Sequence, residues 1–149
     1  YLRPVLQGRR VACLAATEPT GGSDVANLGT EARREGDLFR VRGRKVYITN
    51  GGVADFCLLL VRTGGRASMI LVEKKTPGFR PGCRESQTGF RSVPVSELLF
   101  EDCRVPAENL IGNEGDGFII ATTSLDGFDD RDLGPRMSAH EPPARTRGG

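Results

Sequence analysis

Two segments carry the residues whose types and spacing could do chemistry, and the first is TEPTGGSD (residues 17–24). In it the hydroxyl groups of Thr17 and Ser23 flank the adjacent glycines Gly21 and Gly22. Glycine permits positive φ and a close approach of the backbone to a ligand, and hydroxyls are rotatable donors. Because backbone N–H groups of such a loop can point at one spot, the segment suits an electron-rich, anionic ligand. An ordinary turn between strands is the alternative that these residues leave open.

The second segment is KVYITNGG (residues 45–52), a strand pattern that runs into a pair of glycines. Tyr47 offers a flat aromatic face and Thr49 a hydroxyl at the strand end. The alternative is a strand followed by an Asn-Gly turn. A third glycine-bearing segment, IGNEGDGF (residues 111–118), has the wrong spacing for a GxGxxG fingerprint and no βαβ pattern around it. A Rossmann dinucleotide site is therefore excluded.

Composition excludes several function classes. The chain has 149 residues and a formal net charge of only +2, which argues for one domain and against a polybasic surface for nucleic acid or membranes. Its longest apolar run, residues 56–61, is too short to span a bilayer.

Cysteine and histidine usage gives no support to a metal site or to Cys/His catalysis. The four cysteines stand far apart without a CxxC pair, and His140 lies in a polar tail. Since nothing resembling a signal peptide precedes the cysteines, we expect reduced, mostly buried thiols in an intracellular protein.

Hydrophobic periodicity predicts a mainly β chain. Short alternating runs between turn residues give about seven strands from Val11 to Val105, arranged as a β-barrel or a β-sandwich. Gly36-Asp37 predicts a hairpin turn, and Gly43 falls where the alternation shifts, as at a β-bulge. One short helix is expected over residues 114–126, with Phe118, Ala121 and Leu125 on one face. The polar residues 127–149 predict a disordered tail after a domain at 1–126.

Four segments in this order resemble the middle, β-structured domain of acyl-CoA dehydrogenases. They are LAATEPTGGSD (14–24), KVYITNGGVADF (45–56), MILVEKKTPGF (69–79) and LLFEDCRVPAENLIGNEGDGF (98–118). The resemblance implies that FAD and the acyl-CoA thioester bind at the first two segments. The flavin-lining residues that it implies are Leu14, Ala15, Ala16, Thr17, Gly22, Ser23, Tyr47, Ile48 and Thr49, with Ser23 also reaching the acyl-CoA and the Thr49 hydroxyl near flavin N5.

The resemblance also implies a reaction and its partners. The intact enzyme would dehydrogenate an acyl-CoA at the α and β carbons, pass the hydride to FAD and hand electrons to an electron-transfer acceptor. It would be a homo-oligomer in the bacterial cytoplasm or the mitochondrial matrix, neither secreted nor membrane-spanning. The family's catalytic Glu belongs to a C-terminal helical domain, so no catalytic residue is assigned here. Glu18, Glu73, Glu101 and Glu114 are expected to be loop or surface carboxylates.

We therefore expect a truncated or frameshifted fragment that is inactive alone. Two alternatives remain at this point. One is a non-catalytic β-fold that serves as a binding or assembly module, because a fold does not by itself confer a function. The other is a domain of an acyl-CoA oxidase or of a flavin monooxygenase relative.

Overall fold

The computed structural model describes residues 1–20 and 28–126. The predicted tail from Gly127 onward and two of the implied site residues, Gly22 and Ser23, lie outside this part of the chain. Its secondary structure comprises α1 (Leu2–Leu6), β1 (Ala12–Ala15), β2 (Glu31–Glu35), β3 (Leu38–Thr49), β4 (Phe56–Thr63), β5 (Arg66–Glu73), β6 (Phe79–Arg84), β7 (Val95–Pro106), a 3-10 turn (Ala107–Asn109), β8 (Leu110–Ile111) and α2 (Gly117–Asp126).

The strands form one eight-stranded sheet in the order β6-β7-β3-β2-β4-β5-β8, and β1 pairs with β4 off this path. The pairs of β1 and of β2 with β4 are parallel, and the other pairs are antiparallel. The mainly β prediction is confirmed, with eight strands instead of about seven. The sheet does not close as a barrel, because its path ends at β6 and at β8.

The nearly continuous apolar run of β4 is explained by burial of the strand on both of its faces. Leu59 and Val61 point into the larger core, which also holds Phe39 and Phe100. Leu60, between them, points to the opposite face and packs in a second cluster with Ala121 of α2. A strand that is covered on both faces needs apolar residues at successive positions.

Helix α2 is confirmed, but its buried face differs from the prediction. Ala121 is buried, whereas Phe118 is 50% exposed. The helix begins at Gly117, where a Cβ atom would stand 2.6 Å from the backbone nitrogen and Cα of Ser68 in β5. This close approach makes Gly117 and Ala121, one turn apart, the contact stripe, and Phe118 is turned toward solvent. None of the helices over residues 1–20 and 28–126 has the length and hydropathy needed to span a membrane.

The predicted hairpin is confirmed, whereas the predicted shift of the alternation in β3 lies at Lys45–Val46 and not at Gly43. Strands β2 and β3 pair antiparallel across a turn in which Gly36 has φ +63°. The register between β3 and β7 shifts between Val41 and Gly43, and the extra residue lies on β7, where Asp102 has φ +56°. Gly43 has a separate reason to be glycine, since a Cβ there would stand 2.6 Å from Thr30 Cα.

Substitution of Gly43 tests this close approach. Gly43→Ala is expected to lower the free energy of unfolding by about 3 kcal/mol, because the new methyl group overlaps the Thr30 backbone at an already disfavoured φ. Gly36→Ala is the matched control, since its φ is also positive but nothing lies within 4 Å of its Cβ position. Its cost is only about 1–2 kcal/mol. Equal losses in urea unfolding of the two variants would contradict the packing argument.

The predicted burial of most cysteines is confirmed: Cys13, Cys57 and Cys103 are buried, and all four thiols are free. Burial raises the pKa of Cys103 to about 11, which leaves little reactive thiolate at neutral pH. We expect a thiol reagent such as DTNB to label only the exposed Cys83 rapidly in the native chain and all four after denaturation. Cys83→Ser should remove the rapid phase, and rapid labelling that survives this substitution would show that the core opens.

Candidate functional site

The ends of β1 and β3 meet, which brings the two chemically distinctive segments together. The backbone N–H of Val46 donates to the carbonyl oxygen of Thr17 at 3.0 Å. Because each segment continues from this bond along its own strand, Leu14–Thr17 and Tyr47–Thr49 form one continuous part of the molecule. The two segments are therefore adjacent, as the resemblance implied.

The predicted site residues differ in what they present. Ala15 and Ile48 are buried in the larger core, so only their backbone groups are available to a ligand. Tyr47 and Thr49 are exposed, and Tyr47 is 65% exposed although it is a large aromatic residue. Leu14, Ala16 and Thr17 are half-buried. The side-chain groups available to a ligand are thus chiefly the phenol ring of Tyr47 and the hydroxyls of Thr17 and Thr49.

A β-bulge in β3 sets the direction of Tyr47. Lys45 pairs with Leu98 and Ile48 with Ser96, so β3 holds one more residue than β7 over this stretch. Tyr47 has φ +57°, in the left-handed region. For a residue other than glycine this conformation costs about 1–2 kcal/mol, and strained residues of this kind concentrate at functional sites. The bulge turns Tyr47 outward and leaves both Lys45 and Val46 buried.

A buried ion pair, which sequence reasoning missed, lies behind this surface. The Lys45 side chain is fully buried and that of Glu18 is 5% exposed, with Lys45 Nζ 2.8 Å from Glu18 Oε1. Lys45 Nζ also donates to the carbonyl oxygen of Ala16 at 3.0 Å. Burial lowers the pKa of Lys45, and the Glu18 carboxylate opposes this only in part.

Glu18 is the most heavily hydrogen-bonded carboxylate of the region. Besides Lys45, it accepts the backbone N–H of Gly29 at 2.6 Å and that of Thr30 at 2.9 Å. Burial raises the pKa of Glu18, but the hydrogen bonds from these donors outweigh the burial and hold it below its ordinary value. A carboxylate with these partners is a poor proton acceptor, so Glu18 does not suit the role of a general base.

The other three carboxylates considered above are also held by cations. Glu73 pairs with Arg10 at 2.6 Å, Glu101 with Arg80 at 2.7 Å and Glu114 with Arg34 at 3.2 Å. The hydrogen bond from Arg10 lowers the pKa of Glu73. Within residues 1–20 and 28–126, no group of three His, Cys, Asp or Glu side chains could hold a metal ion.

Comparison with known proteins identifies the family. A family model for the acyl-CoA dehydrogenase middle domain matches residues 13–103. A mitochondrial isobutyryl-CoA dehydrogenase of Dictyostelium discoideum is 42% identical over 132 residues, which cover 85% of this chain and 32% of that protein. The chain thus spans about a third of the length of the curated relatives it matches.

Solved structures of the same family are similar to this chain. A probable acyl-CoA dehydrogenase from Mycobacterium abscessus is similar with a TM-score of 0.81 at 45% identity, over 85% of this chain and 35% of that one. A glutaryl-CoA dehydrogenase from Mycobacterium smegmatis in complex with FADH2 is similar with a TM-score of 0.73 at 33% identity, over 77% of this chain and 30% of that one. With the family model covering most of its sheet, the chain belongs to the acyl-CoA dehydrogenase family, through that family's middle domain.

Proposed function

We propose that residues 1–126 are the flavin-binding middle domain of an FAD-dependent acyl-CoA dehydrogenase. The whole enzyme would remove hydrogen from the α and β carbons of an acyl-CoA thioester. The observation that carries this proposal is the meeting of the β1 and β3 ends, where a bulge exposes Tyr47 next to Thr49. The similarity to a glutaryl-CoA dehydrogenase in complex with FADH2 supports the choice of cofactor.

The residues present fit a flavin. An exposed aromatic ring can stack on a planar heterocycle, and hydroxyl groups at strand ends can donate to its polar edge. When bound, FAD would supply the acceptor for the substrate hydride. In this proposal Tyr47 contributes the flat wall, Thr17 and Thr49 donate hydrogen bonds, and the backbone of Leu14–Ala16 completes the contact. Preorganised donors of this kind stabilise negative charge as it develops on a bound group.

The wider proposals concern the whole enzyme. Acyl-CoA would contact Ser23, which is outside the described residues, and electrons would pass to an electron-transfer acceptor. The mitochondrial and the bacterial relatives support a location in the mitochondrial matrix or the bacterial cytoplasm. The curated relatives are dehydrogenases, which favours that activity over an assembly module or a flavin monooxygenase relative. An oxidase is the second candidate, because the structure of a prolyl acyl carrier protein oxidase is similar with a TM-score of 0.81 at 36% identity.

Binding of FAD to variants of the exposed aromatics tests the proposal. The chain is expected to bind FAD weakly, with Kd of about 0.1–1 mM, and Tyr47→Leu to weaken binding about 2- to 10-fold through lost stacking. Phe90→Leu is the matched control, since Phe90 is also an exposed aromatic (87%) with positive φ but lies in the loop before β7. Difference absorbance gives both affinities. If the Phe90 variant loses as much affinity as the Tyr47 variant, the proposed surface is wrong.

A further inference from the structure

The ion pair of Lys45 and Glu18 lies under the proposed flavin surface and is not among the residues that would touch flavin. We propose that these two are positioning residues. They hold the Ala16–Thr17 backbone on the β3 bulge, so that Thr17, Tyr47 and Thr49 are presented as one surface. This inference rests on the proposed function, because the surface matters only if a flavin is bound there.

A set of hydrogen bonds joins the two strand ends. Two neighbouring residues of β3 bind the segment that follows β1. Lys45 Nζ donates to the carbonyl oxygen of Ala16 and to the carboxylate of Glu18. The backbone N–H of Val46 donates to the carbonyl oxygen of Thr17. Each of the adjacent residues 16, 17 and 18 is thus hydrogen-bonded to β3. The bulge that follows Lys45 buries Val46 beside it and turns Tyr47 outward. Tyr47 and the Ala16–Thr17 backbone therefore share one support.

Glu18 extends this support to a third segment of the chain. Its two oxygens accept the N–H groups of Gly29 and Thr30. Thr30 is in turn packed against Gly43 of β3, where no side chain fits, and its carbonyl oxygen accepts the N–H of Arg62 in β4. The pair thus ties the chain on both sides of residues 21–27 to the sheet.

A buried ion pair is weak evidence for stability, because well-packed apolar residues of the same volume are often as good or better. What apolar residues cannot supply is direction, since charge-assisted hydrogen bonds fix particular atoms at short distances. A fully buried ammonium whose bonds end on Ala16 and Glu18 is therefore better explained by the placement of this backbone than by stability.

The test compares two double variants that remove the same charges. Lys45→Met/Glu18→Gln removes the buried pair, and Arg10→Met/Glu73→Gln removes the half-exposed pair near the N-terminus. Each chain is titrated with FAD while backbone amide shifts are followed by NMR, and amide exchange is measured without FAD. For the first variant we expect Val46 exchange to rise and FAD affinity to fall, each about tenfold, as for loss of a hydrogen bond to a charged group. Core amides of β4 and β5 should stay protected, and the second variant should bind like the unmodified chain.

The outcomes separate this inference from the proposed function. If FAD shifts no amide of the Ala16–Thr17 or Tyr47–Thr49 segments in the unmodified chain, the proposed function fails, and this inference with it. If it does shift them, and the buried-pair variant binds FAD with unchanged affinity, only the positioning role is overturned. Should that variant not fold, Glu18→Gln alone decides, because Gln keeps the shape and an acceptor oxygen. Unchanged FAD affinity and Val46 exchange in Glu18→Gln would overturn the proposal.

Discussion

Lys45→Met is expected to lower the free energy of unfolding by about 3–5 kcal/mol at pH 7, because it leaves the Glu18 carboxylate buried without its counter-charge. Urea unfolding followed by circular dichroism measures the loss. Arg80→Met is the matched control, since it breaks the exposed pair with Glu101. An exposed pair contributes about 1 kcal/mol at most. Similar losses in the two variants would show that Lys45 and Glu18 do not depend on each other in the folded chain.

The pH dependence of this loss follows from the direction of the Glu18 pKa. In the folded chain the pKa of Glu18 is held below its ordinary value of 4.5. Its ionised form therefore stabilises the fold above pH 4.5, and this stabilisation is lost as pH falls below that value. In Lys45→Met the Glu18 carboxylate has lost its cation, so protonation of Glu18 removes an unpaired buried charge and reduces the destabilisation. We expect the difference between the two chains to be smaller at pH 4 than at pH 7. A deficit that grows on acidification would contradict the pairing.

The chain alone is also expected not to reduce FAD with an acyl-CoA substrate. With FAD and isobutyryl-CoA under anaerobic conditions, the 149-residue chain is expected to leave the flavin absorbance unbleached. A positioned general base contributes about 10²–10⁴-fold to such a step, and each carboxylate considered for the role is held by a lysine or an arginine. The Dictyostelium isobutyryl-CoA dehydrogenase serves as the positive control. Bleaching by the chain itself would show that a base and an acyl pocket exist within it.

Local signals predicted much of the fold. The Gly36-Asp37 turn and the continuous apolar run of β4 depend on neighbouring residues, and both are found in the structure. The exposed side of α2 could not be predicted in the same way. Periodicity alone places Phe118 on the apolar face, but the close contact of Gly117 with Ser68 decides which side of the helix meets the sheet. That contact joins residues far apart in the chain.

The candidate site was predictable to a similar degree. The two segments were recognisable because glycines, hydroxyls and an aromatic residue follow strand patterns, and the Val46–Thr17 bond joins them. The ion pair beneath was not recognisable, because strict alternation between Val46 and Ile48 places Lys45 on the solvent side. Lys45 instead continues the buried alternation of Phe39 and Val41, and the extra residue in β3 allows Val46 and Ile48 to be buried as well. No pattern within one segment shows that Glu18 is its partner.

The central claim is that the ends of β1 and β3 together form a flavin-binding surface. Titration of the isotope-labelled, unmodified chain with FAD, followed by backbone amide NMR, tests it most directly. The predicted result is a saturable set of shifts concentrated at residues 14–17 and 46–49, with ADP alone producing much smaller ones there. Shifts that cluster instead on the outer strands β6 and β8, or equal shifts with ADP, would contradict the claim.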